Sequence, residues 1–137
     1  MTTKRIHSTV AVCLALLLSI GAACAADPLY NPGPIPVPGN KSLESVKTVL
    51  QAVLRDKNWQ VNHLGSGHME AQQVDIGKGS MVYVAVIDVK YNAKTVTITY
   101  KDSKALDYNK EKNEIDAKYT RWIRKLEKEI RKRLESY

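Results

Sequence analysis

Phenylalanine is absent from this 137-residue chain, cysteine occurs only twice, and none of the five prolines lies beyond Pro38. Each shortage excludes something. Without Phe, the large core side chains must come from two Trp, seven Tyr and the aliphatic residues. Cys13 and Cys24 are both N-terminal, so residues 25–137 offer no disulfide, no Cys-x-x-Cys pair and no thiolate metal site. The chain also lacks the nucleophile elbow GxSxG, the zinc-protease HExxH, a phosphate loop and a dinucleotide fingerprint. On these grounds it is not expected to be an enzyme, and no cofactor is expected. Its length leaves room for one compact domain once a targeting segment is set aside.

What is present begins with an address. Lys4 and Arg5 form a basic start, Val10 to Ile20 form an apolar run interrupted by one Ser, and small residues follow, so Met1 to Ala26 read as a signal peptide. Two processing routes meet there. Ala23-Cys24-Ala25 and Cys24-Ala25-Ala26 suit ordinary signal peptidase, with cleavage near Ala25 or Ala26, whereas Gly21-Ala22-Ala23-Cys24 is close to a lipoprotein box with Gly21 in place of the usual Leu. On the second route Cys24 becomes the acylated first residue and tethers the domain to a membrane. Either route predicts export to the periplasm. The 21 basic and 14 acidic residues give the chain a net charge of +7. Lys4 and Arg5 leave with the leader, so the remainder keeps 19 cations against 14 acids and stays basic.

All five prolines fall in residues 27–40, with Gly33 and Gly39 among them, a composition that predicts an extended, polyproline-like spacer, with a disordered tail or a proline-recognition ligand as the alternatives. The folded domain is then expected over 41–137. Ser42 is placed to cap a helix in which Leu43, Val46, Leu50, Val53 and Leu54 make one apolar stripe, and Asn58 can take the left-handed turn that ends it. Four strands follow, at Trp59 to His63, His68 to Ile76, Met81 to Tyr91 and Thr95 to Lys101, separated by short turns. Alternation along Tyr83, Ala85, Ile87 and Val89 is matched on the other parity by Val82, Val84 and Val86, which predicts a central strand covered on both faces at that end. Asp116 is placed to cap a last helix whose Tyr119, Trp122, Ile123, Leu126, Ile130 and Leu134 share one sector. The expected fold is α+β: a two-layer sandwich of a helix, a four-stranded antiparallel meander and a C-terminal helix, with both helices on one sheet face.

The segment Ile115 to Leu126, together with Ile98-Thr99-Tyr100-Lys101-Asp102-Ser103 and Asn58-Trp59-Gln60-Val61, resembles a family of small, uncharacterised bacterial envelope proteins, many of them lipoproteins. The close, Tyr119, Trp122, Ile123 and Leu126, carries most of the likeness. The resemblance implies a periplasm-facing domain and no particular reaction. Asp116 stands where such proteins often carry His.

One surface pattern suggests binding. Lys118, Arg121, Lys125, Lys128 and Lys132 recur at spacings of three and four, so they are expected to line up beside the apolar face of the last helix, with Arg124 and Arg131 on the far side near Glu127. An anionic contact follows, with phospholipid headgroups, lipopolysaccharide phosphates or an acidic protein; a solvated helix face is the plainer reading of the same residues. Nucleic acid is not expected for an exported domain without a recognition module. His63 and His68 flank a turn with Glu70 nearby, a weak candidate metal pair that needs further ligands from elsewhere. Glu70 and Asp75 are five apart on one strand, so they face opposite ways and make no acid/base pair. The expectation is therefore a non-catalytic envelope domain that binds or supports another envelope component, with anionic-surface binding, or carriage of a small ligand or metal, as the alternatives.

Overall fold

The computed structural model describes residues 26–137; the expected signal segment up to residue 25, with the lipidation candidate Cys24, lies outside the described residues, whereas Ala26, its expected last residue, begins the first strand. The strands are β1 (Ala26–Pro28), β2 (Ile35–Pro36), β3 (Trp59–Gly65), β4 (His68–Ile76), β5 (Val82–Tyr91), β6 (Thr95–Lys104) and β7 (Glu114–Asp116), and the helices are α1 (Leu43–Asp56) and α2 (Ala117–Ser136). β3 to β6 form the expected antiparallel meander. β2 adds a fifth strand, giving the order β2-β6-β5-β4-β3, while β1 and β7 pair separately.

Local chemistry accounts for most boundaries. The Ser42 hydroxyl accepts from the Ser45 amide at the start of α1, and Asn58 takes a positive φ of 63° just past its end. The Asp116 carboxylate accepts from the Lys118 amide and starts α2. Between β3 and β4 the turn at Ser66 and Gly67 is tight: Gly67 has φ 69°, and a Cβ there would lie 2.9 Å from the Tyr91 carbonyl oxygen. The Asn92 side chain accepts from the Lys94 and Thr95 amides and shapes the β5–β6 hairpin.

One sheet face is buried. Met69 and Ala71 of β4, Ala85, Ile87 and Val89 of β5, and Val96 and Ile98 of β6 share it with Val46, Leu50, Val53 and Leu54 of α1 and Tyr119, Ile123, Leu126 and Ile130 of α2. Both helices therefore cover the same side, and they also pack on each other. Trp59 and Tyr119 are buried there as large aromatic side chains of this Phe-free core.

Two expectations are corrected. The proline-rich residues are not a free spacer. β1 pairs with β7, the Asn31 side chain accepts from the Tyr100 amide, Ile35 stands opposite Val96, and the Val37 amide donates to the Lys94 carbonyl. The segment thus runs as a strap along the β6 edge, with Ile35 fully buried and Val37 nearly so. Proline is compatible with this role because the outer side of an edge strand has no ladder to complete. Pro34, Pro36 and Pro38 alternate with the inward Ile35 and Val37, and they leave few amides for another strand to add to.

The second correction concerns β5. It is the middle strand of the five, as expected, but among the described residues its other face has no second layer: Val82 is exposed and Val84 and Val86 are half-buried. The neighbouring residues on that face, Val74 and Ile76 of β4, are exposed too. An apolar run on both parities was therefore no guarantee of cover on both faces.

Candidate functional site

α2 has Ile123, Leu126, Ile130 and Leu134 buried on its inner side, and at about 100° per residue Arg121, Lys125, Lys128 and Lys132 fall on the outer side opposite them rather than beside them, while Arg124 and Arg131 lie on the flank and not on the far side. All four are exposed, and none makes an ion pair among the described residues. Their neighbours on the same helix behave differently. Arg131 binds Glu127 at 3.0 Å, and Arg133 binds Asp56 at 2.7 Å and Glu129 at 2.8 Å. These contacts, the Arg133 hydrogen bonds above all, hold the Asp56 and Glu129 carboxyls below their ordinary range. Arg124 sits 5.0 Å from the Tyr30 ring, whose hydroxyl donates to Glu127 at 2.6 Å and is pushed above the usual phenol range by that bond. The flanks of α2 are thus committed to holding the strap and α1, while its crest is not.

Lys118 belongs to the flank. Its ammonium donates to Asp75 Oδ2 at 2.6 Å and lies 4.2 Å from the centre of the Tyr83 ring and 5.7 Å from that of Trp122. Five cations at helical spacing therefore resolve into four on the crest and one that fastens the helix start to the end of β4. Sequence spacing could not separate them, because Asp75 is 43 residues away.

Beside the crest, where α1 ends and β3 begins, Lys57, Asn58, Gln73, Trp122 and Lys125 line an open cleft of about 320 Å³. Asp56 and Trp59 complete its wall. The left-handed turn at Asn58 was expected as a helix stop; that it opens a polar cleft beside a Trp was not legible, since Asn58, Gln73 and Trp122 come from three distant segments.

The weaker candidates gather on the uncovered sheet face. The register shift between Val61 and His63 brings His63 opposite Glu70, and the His63 and His68 rings lie 5.9 Å apart, so the turn does bring the two imidazoles together. His68 Nε2 is 2.8 Å from Asp88 Oδ1, and Glu70 binds Lys101. Among the described residues no group of three or more His, Cys, Asp or Glu side chains is placed to hold a metal ion. Glu70 and Asp75 face opposite sides, one engaged with Lys101 and the other with Lys118. No described helix is long and apolar enough to cross a membrane.

No family model, curated protein or solved structure matches the chain. The crest of α2 and its adjoining cleft therefore rest on their own geometry.

Proposed function

We propose that the protein is a non-catalytic, periplasm-facing envelope domain that binds an anionic envelope component through Arg121, Lys125, Lys128 and Lys132. The observation that carries this reading is the contrast on α2, where flanking cations are matched by carboxylates or aromatic rings and, among the described residues, the four crest cations are not. Cations at this spacing present a row about 17 Å long, from the 1.5 Å rise over eleven residues, which suits a ligand with repeated charges such as phosphates or carboxylates. Near an anionic membrane surface each contributes about 1 kcal/mol, a term that salt weakens.

Replacing all four crest residues by Gln and measuring binding to lipopolysaccharide or to anionic vesicles over a range of salt tests the reading. The cleft beside Lys125 favours a second one, a small-ligand carrier: Trp122 offers a ring, Asn58 and Gln73 amides, and Lys57 and Lys125 charge. Native mass spectrometry of the exported protein checks it through a co-purified small molecule.

A further inference from the structure

The face of the sheet turned away from the helices has two halves. Its upper half is charged, with His68, Glu70, Asp88 and Lys101 joined in one network. Its lower half is apolar: Val74 stands opposite Val84 and Ile76 opposite Val82, and Met81, whose carbonyl accepts from the Gly77 amide, adds an exposed apolar residue at the same sheet end on the other parity. Ile76 is 71% exposed, Met81 51%, Val74 48% and Val82 38%. Three neighbouring aliphatic side chains on one face, with Met81 at the same sheet end, are not scattered surface residues but an apolar tip. The turn from Gly77 to Ser80 adds one exposed cation, Lys78, and no acid.

The chain outside the described residues arrives at this same end. Ala26 lies opposite Asp116, which caps α2; two residues on, Lys118 grips Asp75, and the next residue of β4 is Ile76. Cys24 precedes Ala26 by two residues, about 7 Å of extended chain, and the apolar run Val10 to Ile20 lies just before it. With the proline segment bound along β6 as a strap, no free spacer separates this entry point from the domain.

We propose that Val74, Ile76, Met81 and Val82 form a membrane-docking tip that dips into the headgroup boundary of a lipid bilayer, at the end of the domain where its N-terminal segment emerges. The tip is small, so its apolar area gives weak, reversible contact, which becomes persistent when the chain is also held nearby. A second copy is the poorer occupant, because laying one sheet face on another would also bury the Glu70, Asp88 and Lys101 charges of the upper half. This inference concerns the opposite side of the sandwich from the α2 crest and does not rest on it.

Cys13 and Cys24 are the chain's two cysteines, so the full-length chain with both changed to Ser accepts a single reporter thiol. Ile76→Cys, carrying an environment-sensitive fluorophore, is mixed with neutral phosphatidylcholine vesicles, which give the α2 cations no charge to follow. Lys132→Cys is the control and Met81→Cys a second reporter in case the label disturbs position 76. A blue shift with an intensity gain of roughly twofold at 76 and 81, but not at 132, is expected. No change at 76 or 81, or an equal change at 132, overturns the inference. So does a change at 76 that follows protein concentration without vesicles, which assigns the tip to a second copy.

Discussion

Lys118 and Asp75, 43 residues apart, meet at 2.6 Å and join the first turn of α2 to the end of β4. The Tyr83 ring lies beneath the ammonium, so the pair is more than a solvent-exposed ion pair, although the Asp75 side chain keeps 43% of its exposure. A double-mutant cycle on Lys118→Gln and Asp75→Asn is expected to give a coupling of about 0.5–1 kcal/mol, and Lys118→Gln alone to leave anion binding nearly unchanged. Loss of binding with Lys118 as large as with Lys125 contradicts the division of α2 into crest and flank.

The strap supplies a second test. Ile35 is fully buried opposite Val96, so Ile35→Ala is expected to cost about 2–4 kcal/mol in urea unfolding, the usual range for truncating a buried aliphatic residue. A free spacer predicts no change.

Tyr119 carries a cost inside the core. Its hydroxyl is buried without a hydrogen-bond partner among the described residues, with the Tyr100 ring edge-on at 5.6 Å, and burial raises its ionisation well above the ordinary phenol range. Tyr119→Phe removes the unpartnered group and is expected to be neutral or to stabilise by up to about 1 kcal/mol. The pH dependence has a definite sign. The unfolded Tyr loses its proton near 10.0 while the folded one keeps it, so stability is present below that pH and falls as pH rises through and beyond it. Thermal unfolding from pH 8 to 11 is expected to show a smaller alkaline loss in Tyr119→Phe than in the parent.

At the β3–β4 turn, Gly67 combines a positive φ with close approach to the Tyr91 carbonyl. Gly67→Ala is expected to destabilise by about 1–2 kcal/mol, measured by urea unfolding; an unchanged midpoint contradicts the tight-turn account.

Local signals carried much of this architecture. Ser42 and Asp116 cap their helices, the apolar stripes of α1 and α2 are buried, and the four meander strands fall where alternation placed them, because helix and strand periodicity report which side of an element faces the core. The proline segment was misread because proline's missing amide argues against a central strand and is silent about an edge. The inward pair Ile35 and Val37, two apart between prolines, was the available signal. Likewise Val82, Val84 and Val86 reported an apolar face but not what covers it. The candidate site was half legible: spacing aligned the five cations, but only the fold shows Asp75 removing Lys118 from the set and the cleft opening beside Lys125.

The salt dependence of binding to lipopolysaccharide and to phosphatidylglycerol vesicles, for the protein and for its Arg121→Gln, Lys125→Gln, Lys128→Gln, Lys132→Gln variant, tests the central claim most directly. The account predicts that the parent binds at least one of these anionic surfaces, weakens steeply as salt rises, and loses at least about tenfold in affinity with the four substitutions while unfolding stability shifts by no more than about 0.5 kcal/mol. Affinity and salt slope that are the same in parent and variant contradict it.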